Sequence, residues 1–147
     1  MTATTLVVLV VVPHQGRYLV VEERDGTFYL PAGRVEKGED LLSAAVRETA
    51  EEAGITIGLR GLLGVDHEWF PLSPPRAKIR FAFVGFVTGA SAQKTHADRH
   101  SRGARWVKKE ELSSLPLRNP EVIAWIERYE RGEGVMPCEA YTWWGGA

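Results

Sequence analysis

The most apolar stretch of the chain, "LVVLVVV" from Leu6 to Val12, carries no polar alternation and is rich in β-branched residues. It predicts a buried strand over residues 4–12, ended by Pro13. After the turn "HQG", residues 17–22 ("RYLVVE") predict a second strand, and the two together read as a β-hairpin. The turn "RDGT" and a short "FYL" lead into a loop containing Pro and Gly that runs to Asp40. Asp40 is a helix cap and Gly54 a helix stop, so Leu41 to Ala53 is predicted as a helix. Its packing side is expected at Leu42, Val46, Thr49, Ala50 and Ala53, opposite Glu48, Glu51 and Glu52.

Strand patterns resume at residues 55–68 and 78–88, separated by the stiff loop "PLSPPR". "GARWV" predicts another strand and "KKEEL" a short helix. An amphipathic helix is predicted from Asn119 or Pro120 to Arg131, built on Val122, Ile123, Ile126 and Tyr129. The tail "PCEAYTWWGGA" reads as irregular. Strands before, between and after two helices predict an α+β class with helices packed on a mixed sheet. No repeat or linker divides the sequence, so residues 1–147 are expected to form one domain.

Composition adds exclusions. With 44% apolar and 25% charged residues the chain falls in the globular range. A net charge of -1 leaves no electrostatic footprint for a nucleic-acid polymer or an anionic membrane, so neither is expected as a partner. The apolar run is too short to span a bilayer, and the lone Cys138 makes no demand for an oxidising compartment. A cytoplasmic location is expected.

Glu48, Glu51 and Glu52 pose a physical problem. Like charges three and four residues apart repel on one helix face, and carboxylates near a helix C-terminus also meet the negative end of the dipole. Three carboxylates beside a Gly-rich loop with free carbonyls make a hard oxygen site suited to Mg²⁺ or Mn²⁺, and a bound cation offsets both penalties. Because Mg²⁺ is held by few carboxylates together with substrate phosphates, the substrate class it points to is a phosphate or diphosphate. The bland reading of the same residues is a solvated acidic face.

Gly33, five residues, Glu39, seven residues, Arg47-Glu48, two residues, Glu51-Glu52, one residue and Gly54-Ile55 make a pattern that resembles the Nudix box at full spacing. Ala32 stands where Gly is common and Thr49 where an aliphatic residue is usual. The resemblance implies a Nudix fold, an α/β/α sandwich around a mixed curved sheet, and Mg²⁺-dependent hydrolysis of a small nucleotide-like diphosphate by water attack on phosphorus. It implies metal ligands at Glu48, Glu51 and Glu52 with a carbonyl ligand at Gly33, and a pair between Glu39 and Arg47 that braces the loop on the helix. Homodimers are common among members, so a homodimer is carried as an expectation. Beyond the box, "FYLPAGRVEKGE", "HEW", "IRFAFVG", "RWVKKEEL" and "LRNPEVI" are similar to bacterial Nudix phosphatases and to hydrolases of oxidised guanine nucleoside diphosphates. Pro71, sixteen residues past Ile55, resembles instead a feature of ADP-ribose pyrophosphatases. A Nudix domain that senses a nucleotide without catalysis is the reading from another class.

Four further residues are candidates for substrate binding. Arg24 reads as a phosphate clamp or a turn residue. Trp69, after His67 and Glu68, reads as a stacking platform or a half-buried strand end. Arg80, with Arg76 and Lys78, alternates along one strand face and reads as a polyphosphate contact or a salt-bridged surface. Asp98, in the loop "SAQKTHADRHSRG", reads as a late catalytic acid or a solvated loop residue. His96 and His100 lack the third ligand of a transition-metal site and read as surface histidines. Trp143 and Trp144 are expected to be covered by the core, a second copy, substrate or a protein partner.

Overall fold

The computed structural model describes residues 3–132 and 134–145. Its elements run β1 Ala3–Val11, β2 Pro13–His14, β3 Arg17–Glu22, β4 Phe28–Tyr29, β5 Ala32–Arg34, α1 Leu41–Ala53, β6 Ile57–Phe70, β7 Arg76–Val87, β8 Gly103–Val107, α2 Glu121–Arg131 and β9 Met136–Pro137. Short 3₁₀ turns at Lys109–Ser114 and Cys138–Ala140 complete the path.

The larger sheet has the order β5-β1-β7-β6-β9 and is mixed: β1 runs parallel to β7 and antiparallel to β5. β1 explains the architecture. Val8, Val10 and Val12 belong to the apolar cluster that includes Leu41, Ala44, Ala45 and Ala53 of α1. Leu9 and Val11 belong to the cluster that includes Val122, Trp125 and Ile126 of α2. Side chains alternate across a strand, so an unbroken apolar run is what a strand needs when helices cover both faces. The result is an α+β sandwich whose sheet stays open. A smaller sheet forms around β3, which pairs with β8 over its length and with β2 and β4 toward its two ends.

Three expectations are corrected. The hairpin of residues 4–12 with 17–22 shrinks to Pro13–His14 against Arg17–Tyr18, because β1 spends its hydrogen bonds on β5 and β7. On α1 the buried stripe is Leu41, Ala44, Ala45, Thr49 and Ala53, whereas Ala50 is exposed. The packing face is thus rotated toward the acids, and Glu48 and Glu52 lie along its edge. The tail is not wholly irregular, since β9 adds two residues to the edge of β6, pairing Gly61 with Pro137 and Leu62 with Met136.

The helix ends follow their sequence signals. The Asp40 carboxylate accepts from Ser43 N–H at 2.8 Å and Ser43 Oγ at 2.7 Å, and Gly54 closes α1 at φ 70°. Thr49, buried in α1, satisfies its hydroxyl by donating to Ala45 O at 2.8 Å. Trp143 and Trp144 are exposed, the latter at 89%, and so remain uncovered within the chain. No helix among the described residues is long and apolar enough to cross a membrane.

Candidate active site

β5 and α1 come together at Gly33. A Cβ built on Gly33 would stand 2.0–2.3 Å from the Glu48 carboxylate, so only glycine leaves that carboxylate room against the loop. One residue earlier, Ala32 N–H donates to Glu52 Oε1 at 2.8 Å. Two carboxylates one turn apart on α1 are therefore held against the backbone of residues 32–33.

Arg47 organises the other side. Its Nε and Nη2 donate to the two oxygens of Glu39 at 2.7 and 2.9 Å, and Nη2 also donates to Arg34 O at 3.1 Å. Nη1 donates to Glu48 Oε1 at 2.9 Å and Glu51 Oε2 at 3.1 Å. The loop, the strand end and the helix are thus tied through one planar guanidinium, a geometry that lysine cannot reproduce. The Glu39–Arg47 contact is the one the Nudix-box resemblance implies.

The electrostatics of these carboxylates suit a divalent cation. Burial pushes the Glu52 carboxyl up to about 8, with the nearby charges of Glu48 and Glu23 adding to the shift. Burial likewise raises Glu48, although Arg47 opposes it. Among the described residues no three His, Cys, Asp or Glu side chains already converge as a finished cage. The donor chemistry nonetheless fits a hard divalent ion: carboxylates of Glu48 and Glu52 beside a glycine cradle, with Glu51 one residue away on the same turn and the Gly33 carbonyl as a neutral oxygen.

The C-terminal end of α1 is closed by residues that local patterns do not disclose. Lys94 N–H donates to Ala53 O at 2.8 Å, Lys94 Nζ to Glu51 O at 3.2 Å, and Ser101 Oγ to Glu52 O at 2.7 Å. The Lys94 side chain is only 4% exposed and also pairs with Asp98 Oδ1 at 2.5 Å. A buried ammonium at the negative pole of α1 offsets the dipole penalty that the three glutamates incur. Its partner lies 43 residues away in sequence, which hides it from any pattern of spacing.

Asp98 braces this loop. Its carboxylate accepts from Lys94 and from His100 and Ser101 N–H, and the Lys94 bond above all holds it well below the usual carboxylate range. Arg24 Nη1 donates to the Asp98 carbonyl at 2.5 Å, which ties Arg24 to the same loop. His100 Nδ1 stands 3.6 Å from Glu51 Oε2, so this histidine belongs to the edge of the site.

Arg80 and Trp69 lie elsewhere. Arg80 is engaged by Asp66 at 2.8 Å, Glu68 at 3.4 Å and Glu121 at 3.3 Å, the salt-bridged alternative. Trp69, 54% exposed, points to the sheet face opposite Phe70 and Arg80. Two residues near the acids were without a sequence signal. Glu23 has one buried oxygen, Oε1, with no partner, while its other oxygen accepts from Arg118 at 3.1 Å. Arg118 lies 3.8 Å over the Tyr29 ring.

A family model described as NUDIX domain matches residues 2–127. The chain is 40% identical over 103 residues to "8-oxo-dGDP phosphatase NUDT18" of Danio rerio, covering 69% of this chain and 29% of that protein. It is 34% identical over 128 residues to "Phosphatase NudJ" of Escherichia coli, covering 84% of this chain and 81% of that protein. A solved Nudix hydrolase from Nitrosomonas europaea superposes with a TM-score of 0.83 at 28% identity, covering 98% and 99% of the two chains. The chain spans only 29–37% of the length of the NUDT18 relatives it matches. With the box residues gathered at the β5–α1 junction and a family model matched over most of its length, the chain belongs to the Nudix domain family.

Proposed function

We propose that this domain hydrolyses a phosphoanhydride bond in a nucleoside di- or triphosphate, with Mg²⁺ or Mn²⁺ held by Glu48, Glu51, Glu52 and the Gly33 carbonyl. The observation that carries this reading is the pairing of Glu48 with the glycine cradle and of Glu52 with Ala32 N–H. The names of the NUDT18 and NudJ relatives support a nucleotide phosphatase, with oxidised guanine nucleoside diphosphates as one candidate substrate.

A divalent ion bound by these oxygens would supply positive charge that polarises a phosphoryl oxygen and acidifies an attacking water. The chain supplies the rest. Arg47 fixes Glu39 and the loop against α1, so that the carbonyl of Gly33 and the Glu48 carboxylate keep their relative positions. Lys94 and Ser101 secure the helix end that carries Glu51 and Glu52. Ala32 N–H holds one oxygen of Glu52 and leaves the other for its partner. A carboxylate of this set takes the proton of the water as it attacks phosphorus.

The test is release of phosphate or pyrophosphate, with and without Mg²⁺, from nucleoside di- and triphosphates, oxidised guanine nucleotides, ADP-ribose and thiamine-pathway diphosphates, comparing the native chain with Glu52→Gln. Metal-dependent turnover lost in the variant is expected. Nucleotide binding with no turnover of any substrate would replace the hydrolase reading with a sensor.

A further inference from the structure

A cleft of about 440 Å³ opens beside Gly33, on the face of the larger sheet that α2 partly covers. Arg34, Arg76, Lys78 and Arg118 line it, and no Asp or Glu among the described residues does. Lone cations are scattered elsewhere on the surface, whereas other clustered ones are neutralised: Arg47 and Arg80 each meet three or more carboxylates. Arg34, Arg76 and Lys78 take part in no ion pair among the described residues. On a protein of net charge -1, this is a local excess of positive charge within one concavity.

The sheet register spreads these groups along the cleft. Arg34 lies in the row of Val7 and Arg80, Lys78 one row further with Thr5 and Glu68, and Arg76 another row on with Ala3 and Phe70. Successive rows on one face are about 7 Å apart, so the cationic lining extends for about 14 Å from the β5 end. The aromatic faces nearby are already covered by cations: Lys78 Nζ stands 5.6 Å over Phe70, and Arg118 lies on Tyr29. The cleft therefore offers charge and guanidinium forks rather than an open ring on which a base would stack.

We propose that this cleft is a second anion subsite, which receives a phosphoryl group of the substrate lying outside the cleaved linkage. The inference rests on the hydrolase reading for the position of the cleaved bond at Gly33 and the α1 carboxylates. Two sources share this chemistry: the terminal phosphate of a longer polyphosphate chain, and a phosphate ester elsewhere on the nucleoside.

The test begins without metal, in EDTA, by calorimetric titration of the full chain with adenosine 5′-monophosphate, adenosine 3′,5′-bisphosphate, ADP and ATP. At least tenfold tighter binding of the bisphosphate than of the monophosphate identifies an ester phosphate, and the same preference for ATP over ADP identifies a chain phosphate. In either case the double variant Arg76→Gln/Lys78→Met is expected to lose the preference to within twofold, while Lys78→Arg keeps it. Equal affinity within both pairs, or a preference that survives in the double variant, overturns the subsite. Hydrolysis of the same diphosphates and triphosphates with Mg²⁺ is read separately. Absence of turnover alongside a preserved binding preference would sink the hydrolase reading and leave the anion subsite standing.

Discussion

Arg47 grips Glu39 through two parallel bonds, Nε to Oε2 at 2.7 Å and Nη2 to Oε1 at 2.9 Å, while its remaining nitrogen reaches Glu48 and Glu51. One side chain thereby sets the distance between the loop after β5 and the acidic turns of α1. Lysine at this position would keep the charge and lose the fork. Arg47→Lys is expected to destabilise the metal-free protein by about 1–3 kcal/mol and to weaken Mg²⁺ binding by roughly 10–100-fold, the range for partners that orient ligands. Urea denaturation in EDTA and calorimetric titration of Mg²⁺ measure the two effects. Unchanged metal affinity would show that the guanidinium supports the fold alone.

The Glu52 carboxyl, raised mainly by burial to about 8, gives stability a particular pH dependence. Its ordinary value is 4.5, so between about 4.5 and 8 the folded chain holds a proton that the unfolded chain releases. Stability of the metal-free protein should then fall as pH rises through this window, with the raised carboxyls of Glu48 and Glu23 adding in the same direction. Thermal melts in EDTA at pH 5.5 and 8 are expected to show a lower melting temperature at pH 8, by about 2–4 °C for each kcal/mol lost. Glu52→Gln should flatten the profile and raise the apo melting temperature at pH 8. Mg²⁺ should stabilise the native chain more at pH 8 than at pH 5.5, because the ion competes with the proton.

Lys94 provides a different kind of test, since it touches α1 from a distant loop. Lys94→Met retains most of the buried stem and removes the ammonium that bonds Glu51 O and Asp98. The expected cost is about 1–3 kcal/mol, from a lost charge-assisted bond and a lost favourable dipole contact. Chemical denaturation checks it. Ser101→Ala, which removes the bond to Glu52 O, should cost less, about 1 kcal/mol. A Lys94→Met protein as stable as the native chain would mean that water replaces the ammonium at no cost.

The contrast between these residues shows what the sequence discloses. Helix α1 is legible because its start, stop and acidic turns are all local: Asp40, Gly54 and the spacing of the glutamates depend on neighbours within a few residues. The buried strand β1 is legible from composition, because burial on both faces needs an unbroken apolar run. Its partners are not, since pairing with β7 some seventy residues later carries no local mark, and it is this pairing that confines the expected hairpin to Pro13–His14 against Arg17–Tyr18. The packing face of α1 is not legible because alanines dominate it, and Ala50 on the exposed side is indistinguishable by type from Ala44 and Ala45 on the buried side. The box residues announce the acidic site, whereas Lys94, Ser101, Glu23 and Arg118 reach it only through tertiary contacts.

Gly33 permits the most direct test of the acidic site, because its requirement is purely steric. Its backbone does not occupy the positive-φ region, so alanine there introduces no backbone strain. The added methyl would instead stand 2.0–2.3 Å from the Glu48 carboxyl atoms, well inside van der Waals contact, and the carboxylate must turn away. Glu48 bonds to Arg47 at the same time, so the displacement also disturbs the brace to Glu39. Gly33→Ala should therefore keep the fold, as judged by circular dichroism, and lose at least roughly tenfold in Mg²⁺ or Mn²⁺ affinity by calorimetry, as expected when a ligand's orientation is lost. Glu48→Ala in the Gly33→Ala background should cost little further affinity, because the first change has already removed that ligand. A fully additive double variant would place Glu48 and Gly33 in independent roles and break the link between the glycine cradle and the metal site.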